Sequence, residues 1–236
     1  MSINSFRIKK SFGEKEVIRD FTFEVPAGRI TALIGPNGSG KTTWIRIALG
    51  LLSADDGTVR YDSDPLSRVR EHIAAVFDDP PIVKYLNGYD NLDVLSGGCA
   101  QNEHRKEILD ALDLNDALLR QKGKAYSFGQ RHKLAVAAAL LRDPKYFFLD
   151  EPAVGLDLES WDRVSRIIRK QADRGCAVLI TGHNYDLIEE LADHAVLIRE
   201  SVIYFAGEIR SLLEPGGSLK ELYRQTFVDK ADEQID

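Results

Sequence analysis

The strongest chemical signal in the 236-residue chain is the run Gly35-Pro36-Asn37-Gly38-Ser39-Gly40-Lys41-Thr42, which fits the pattern GxxxxGK[ST]. Glycines at these places let the backbone of Asn37, Gly38, Ser39 and Gly40 curl until successive N–H groups point inward at a phosphate. Thr43 opens the helix that follows, whose positive end adds to the field. Lys41 brings a mobile point charge for the β- and γ-phosphates of a nucleotide, and the Thr42 hydroxyl is a hard oxygen suited to Mg2+. A loop of this kind needs an acidic partner at the end of a neighbouring strand, to hold the metal through water. Tyr146-Phe147-Phe148-Leu149-Asp150-Glu151 supplies one. Four apolar residues make the buried strand, Asp150 is the metal partner, and Glu151 stands where a general base could polarise a water against the γ-phosphate. Taken alone, Asp-Glu after such a strand is a strand end turning into solvent. Beside the glycine-rich loop it becomes the other half of a nucleotide site.

These side chains need a scaffold, and the flanking sequence predicts it. Strand-like runs come first, over 6–8, over 17–25 with alternating apolar positions, and over Ile30–Ile34 directly before the loop. A helix is expected over 43–51, a turn at Asp55-Asp56-Gly57, and strands over 58–61 and 72–77. From Asp78 to Lys124 the texture turns polar and helix-rich without a good strand, with Leu92, Leu95, Ile108, Leu109, Leu112 and Leu118 at roughly helical spacing. That predicts an inserted helical lobe. Helices over 128–141, 159–173 and 185–192 then alternate with strands over Tyr146–Leu149, Ala177–Thr181 and 195–198. Alternation of this kind implies a mostly parallel sheet covered on both faces. The expected division is a single domain over 1–236, its core at about 1–77 and 143–212, the lobe at about 78–142, and a short tail over 213–236. The tail holds an amphipathic piece at 219–223 and an acidic end expected to fray.

Composition narrows the partners. Hydrophobic residues make up 44% and charged residues 29%, as in ordinary folded proteins, so bulk disorder is excluded. Lys and Arg number 31 against 37 Asp and Glu, and the net charge of -6 argues against a nucleic-acid backbone as the main partner. Cys99 and Cys176 form no CxxC pair, so neither a disulfide framework nor a structural zinc site is expected. The first ten residues mix Asn, Arg and Lys without the apolar run of a signal peptide. The longest apolar stretch, 134–141, falls far short of the roughly 20 residues that cross a bilayer. A cytoplasmic chain is the expectation.

In the order and spacing of its motifs the chain resembles the ATP-binding cassette (ABC) ATPases, over about residues 3–212. Tyr126-Ser127-Phe128-Gly129-Gln130 is similar to the family's LSGGQ-type signature, and Ser127 lies 23 residues before Asp150, the separation the family shows. Gly155-Leu156-Asp157 looks like its D-loop, and His183, just past the strand Ala177–Thr181, like its switch histidine. Leu95-Ser96-Gly97-Gly98-Cys99 spells the better consensus, yet it lies 54 residues before Asp150 inside the lobe, and it reads as a loop between lobe helices. Two positions depart from the pattern. Asp78-Asp79-Pro80-Pro81 stands where the family carries a Gln, and Phe128 replaces the first signature Gly, while Gly129 keeps the position whose backbone would approach a phosphate closely. Both departures are similar to bacterial cassettes serving drug, lantibiotic and related exporters. Phe12, beyond the first strand, occupies the place of the adenine-stacking aromatic.

The resemblance implies an α/β fold of the P-loop NTPase type, with a RecA-like mostly parallel core, an antiparallel β subdomain and an inserted α-helical subdomain. It implies ATP and Mg2+ as cofactors, with Thr42, Asp78 and Asp150 at the metal and Lys41, Glu151 and His183 as the catalytic set. Two subunits, alike or different, would close head to tail, so that Ser127, Gly129, Gln130 and Asp157 of one meet the nucleotide held by the other. Hydrolysis would drive a separate transmembrane permease, the chain's only contact with the membrane, and place it peripherally on the inner face of the cell membrane with no nucleic-acid partner. The alternative, a soluble cassette acting on ribosomes or DNA, would carry a second cassette or a long coiled-coil insertion, and neither fits in 236 residues. A small-molecule kinase or GTPase would not need the signature, and no Asn-Lys-X-Asp guanine motif is present. The tail is too short for the regulatory domain that some importer cassettes append, which favours export.

Overall fold

The computed structural model describes residues 1–99, 101, 103–213 and 217–228. The acidic end, 229–236, lies outside the described residues. Strands β1 (Ile3–Phe12) and β2 (Lys15–Val25) pair antiparallel, and β3 (Ile30–Ile34), α1 (Lys41–Ala48), β4 (Asp56–Tyr61), α2 (Leu66–Val69) and β5 (Ile73–Val76) follow. Next come α3 (Gly88–Ser96), α4 (Arg105–Ala111), α5 (Asp116–Leu119) and α6 (Phe128–Leu140), with no strand among the described residues between β5 and the next strand. Beyond them lie β6 (Tyr146–Leu149), α7 (Leu158–Asp173), β7 (Ala177–Thr181), α8 (Tyr185–Leu191), β8 (His194–Arg199), β9 (Val202–Glu208), α9 (Ile209–Leu212) and α10 (Leu219–Tyr223).

The nine strands of the described residues lie in the order β4-β1-β2-β9-β8-β3-β7-β6-β5. Pairing is parallel from β8 through β3, β7 and β6 to β5, and antiparallel in β4-β1-β2 and between β8 and β9. Every residue of β3, β6 and β7 is buried, as expected of parallel strands covered on both sides. Successive side chains therefore feed two different cores. Tyr146 and Phe148 join the core that holds Trp44, Ile45 and Ala48 of α1, whereas Phe147 and Leu149 join the one built with α6 and α7. Trp44 fixes α1 to its side: its ring lies 4.7 Å from that of Phe23 and 6.3 Å from that of Phe148, and its Nε1–H donates to Ser5 Oγ at 3.0 Å.

Local chemistry moves several boundaries from their expected places. Helix α1 begins at Lys41, two residues early, because Gly40 takes the left-handed conformation (φ 101°) that ends the loop at once. Leu95 and Ser96, expected in a loop, close α3 instead, and the left-handed Gly97 (φ 66°) caps it in the manner of a helix C-terminus. The strand expected over 6–8 extends to Ile3–Phe12, and β9 has no counterpart among the expected strands. No residue of β9 is fully buried, although Val202-Ile203-Tyr204-Phe205-Ala206 is an unbroken apolar run. Helix α10 packs on α8 through stacked Tyr185 and Tyr223, whose centroids are 4.3 Å apart.

Candidate nucleotide site

The loop leaves the C-terminal end of β3 and curls back over its own lysine. Lys41 Nζ donates to the carbonyls of Gly35 (2.8 Å) and Pro36 (3.2 Å) and is itself buried. Burial pulls this ammonium below the usual lysine range, and the nearby Glu151 and Asp150 carboxylates oppose the pull. Only glycine fits at position 40, since a Cβ there would stand 3.0 Å from the Val17 carbonyl oxygen in a backbone already at positive φ.

Strand register brings the acidic pair to the same place. Leu149 of β6 lies opposite Ile180 of β7, and the next residues along are Asp150 and Thr181. Asp150 is buried: its Oδ2 accepts from Thr42 Oγ1 at 3.0 Å, and its Oδ1 accepts from Thr181 Oγ1 at 2.6 Å. Glu151 turns out of the strand with φ 56°, its N–H donates to Thr181 Oγ1 at 3.0 Å, and its Oε1 lies 3.1 Å from His183 Nε2. Burial lifts the Glu151 carboxyl above the usual glutamate range; His183 opposes the lift and the Asp150 charge adds to it.

These groups converge on one cleft of ≈ 1040 Å³, lined by Asn37, Gly38, Gly40 to Thr43, Asp78, the acidic pair and His183. Thr42, Asp150 and Asp78 present the hard oxygens that Mg2+ prefers. Among the described residues no group of three or more His, Cys, Asp or Glu is placed to hold a metal by itself. One hydroxyl and two carboxylates would leave places around such an ion for water and phosphate oxygens.

Other expected residues stand elsewhere. Ser39 is buried beneath the loop, its N–H donating to the Pro36 carbonyl at 3.1 Å. Phe12 is half exposed, opposite Lys15 in the β1–β2 register with Lys10 Nζ 5.5 Å from its ring centroid, and it does not line the cleft. Lys15 and Val17 line it instead. Ser127, Gly129, Gln130 and Asp157 share a separate groove of ≈ 520 Å³. There Ser127 caps α6 in a capping box: its Oγ accepts from the Gln130 N–H at 3.2 Å, and Gln130 Oε1 accepts from the Ser127 N–H at 2.9 Å. Asp157 caps α7 by accepting from the Ser160 N–H at 2.8 Å. Gly129 sits tight against the neighbouring loop, where a Cβ would come 3.1 Å from the Gly155 carbonyl oxygen. The Phe128 ring lies directly over Gly155.

Thr181, Trp161, Tyr185 and Lys220 also reach the cleft, and none was expected there. A hydroxyl closing the apolar strand Ala177–Thr181 is the one signal that could have found Thr181.

A sheet of this order, with a phosphate-binding loop after one strand and an Asp-Glu pair after its neighbour but one, defines a P-loop nucleotide-hydrolysing fold. The family model described as ABC transporter matches residues 18–154. "Lantibiotic transport ATP-binding protein SrtF" of Streptococcus pyogenes is 31% identical over 224 residues, covering 94% of this chain and 95% of its own. "Uncharacterized ABC transporter ATP-binding protein YdbJ" of Bacillus subtilis (strain 168) is 34% identical over 209 residues, covering 83% of this chain but only 66% of that longer relative. Among solved structures, a dimeric post-hydrolysis state of the ATP-binding cassette MJ0796, bound to ADP and Pi, superposes with a TM-score of 0.78 at 20% identity over 88% of this chain and 99% of that one. The chain belongs to the ABC transporter family, as an ATP-binding subunit of the ABC ATPase class.

Proposed function

We propose that two cassettes, two copies of this chain or one copy and a related chain, close around ATP and drive a separate membrane-spanning permease in the direction of export. The observation that carries the paired arrangement is the separation of the two halves: Lys41, Asp150, Glu151 and His183 share one cleft, and Ser127, Gly129, Gln130 and Asp157 share another groove. A signature that completes its own nucleotide site would stand in the first cleft. The N-terminus of α6 instead offers its N–H groups and positive dipole to a nucleotide held by a second chain. ATP then joins the two, and loss of the γ-phosphate releases them. The dimer of MJ0796 with ADP and Pi supports the same reading.

Within the cleft, Lys41 leaves its two carbonyls to meet the β- and γ-phosphates, and Glu151 polarises the attacking water while His183 orients it. Thr42, Asp150 and Asp78 would hold Mg2+, which supplies charge neutralisation at the phosphates. Phe12 reaches an adenine only by moving toward the cleft, which Lys15 and Val17 already border. The whole chain serves as one nucleotide-binding domain, with the helical lobe of about 78–142 carried between the two halves of the core, 1–77 and 143–212. No helix of the described residues is long and apolar enough to cross a membrane. In this reading the permease is a different chain, and this one works peripherally at the inner face of the cell membrane. The names of SrtF and of the "SkfA peptide export ATP-binding protein SkfE" of Bacillus subtilis (strain 168) support a peptide-exporting partner.

Glu151→Gln tests the reading. It should keep ATP binding, lower hydrolysis by about 10²–10⁴-fold, and trap an ATP-bound dimer visible by gel filtration. A variant that stays monomeric with ATP, or hydrolyses at the normal rate, refutes it.

A further inference from the structure

We propose that Thr181 is a positioning residue for hydrolysis, whose single buried hydroxyl sets the orientation of Asp150 and Glu151 together. Its side chain stands at the C-terminal end of β7, 1% exposed. A threonine hydroxyl has one proton to give and lone pairs to receive. Here the proton goes to Asp150 Oδ1 (2.6 Å), and a lone pair takes the Glu151 N–H (3.0 Å). Asp150 is thus gripped from both sides, by Thr181 on Oδ1 and Thr42 on Oδ2. The same hydroxyl anchors the amide of Glu151, which has the left-handed φ of 56° that non-glycine residues seldom adopt. That turn swings the carboxylate away from the strand direction and toward His183 Nε2 at 3.1 Å. His183 itself lies two residues beyond Thr181 on the same strand end, so one hydroxyl ties the acidic pair to the segment that carries the histidine.

A merely structural threonine looks different in this protein. Thr31 in β3 is equally buried, and its hydroxyl has no hydrogen-bond partner among the described residues. Thr181 has both of its bonds directed at groups of the cleft. The inference rests on the reading of Asp150 as the metal partner and Glu151 as the base.

The test compares Thr181→Val, which keeps the shape and removes the hydroxyl, with Thr181→Ser, which keeps the hydroxyl and removes a methyl. ATP affinity is measured by calorimetry with magnesium and again with a chelator, alongside steady-state hydrolysis and thermal melting of each chain. Groups that orient the residues around a metal cost about 10–100-fold when removed. Thr181→Val should lose hydrolysis in that range and most of the gain in affinity that magnesium gives, with chelator-measured affinity unchanged. Thr181→Ser should retain both. The inference is overturned if Thr181→Val matches the natural chain in hydrolysis and in magnesium gain, or if a folded Thr181→Ser is impaired in either. That second arm decides the matter even where the valine variant does not fold. A natural chain that binds ATP without hydrolysing it would sink the catalytic reading of Glu151, while the magnesium comparison still judges Thr181.

Discussion

Phe128 and Gly155 face each other on the wall of the signature groove. A phenyl ring stands where the family has its first signature glycine, and the loop beneath answers with a residue that has no side chain. A Cβ on Gly155 would come 2.3 Å from Phe128 Cδ1, and its φ of 70° already disfavours any other residue. Gly155→Ala should therefore cost at least about 1–2 kcal/mol from the backbone alone, which is about 2–8 °C in melting temperature for a chain of this size. Adding Phe128→Ala should return the part of the loss due to contact and leave the part due to φ. Additive losses in the pair, measured by thermal melting, would show that the ring and the glycine do not interact. Residue types announced the loop and the acidic pair, because their chemistry is tied to their identity, whereas His183 stood out only through its place in the family's order of motifs. Thr181 is harder to read, because a buried strand threonine looks the same in sequence whether its hydroxyl is idle, as in Thr31, or engaged, and only its place at the strand end sets it apart.

Among the elements, α1 is the one on which the site depends most directly, since Lys41 and Thr42 are its first residues. Its hold on the sheet is concentrated in Trp44, fully buried between Phe23 and Phe148 and bonded to Ser5 Oγ. Ser5 Oγ in turn donates to the Phe21 carbonyl at 2.7 Å, so the ring is tied to both strands of the β1–β2 pair. Trp44→Ala should lower stability by about 3–5 kcal/mol, read by urea unfolding, and weaken ATP binding with it. A variant of normal stability would show that α1 is held elsewhere. The parallel strands were legible because burial on both faces leaves unbroken apolar runs, as in Tyr146–Leu149. β9 was not, although Val202-Ile203-Tyr204-Phe205-Ala206 is apolar throughout, because the turn that joins it to β8, Glu200-Ser201, takes left-handed φ (50° and 66°) without the Gly or Asn that ordinarily marks a hairpin. The end of α3 was misjudged because Gly97 and Gly98 look like the middle of a loop, and only the left-handed φ at Gly97 shows that it ends a helix.

If the cleft and the separate groove are the two halves of a site shared between chains, as proposed, mixed dimers follow a simple rule. A Lys41→Ala chain spoils the phosphate end, and a Ser127→Phe chain spoils the signature end. A dimer of one with the other contains one site built wholly from intact halves. Mixing the two inactive chains should restore ATP hydrolysis that neither shows alone, whereas a site completed within one chain would stay silent in the mixture. The run of helices between β5 and β6 was visible in the change of texture at Asp78. The separation of the groove from the cleft was expected only through the family resemblance, since spacing along a chain does not by itself tell which surfaces a pair of motifs will share.

The position of α10 gives the end of the described chain a vantage point. Lys220 borders the cleft and pairs with Asp186 at 3.2 Å, and Tyr223 stacks on Tyr185, two residues past His183. Leu219 contributes its N–H to Glu189 Oε2 at 2.6 Å, closing the strap against the same helix. A stretch with no motif of its own thus leans on the helix that follows the histidine. A substitution at Leu219 or Tyr223 therefore bears on that helix while every motif residue stays in place.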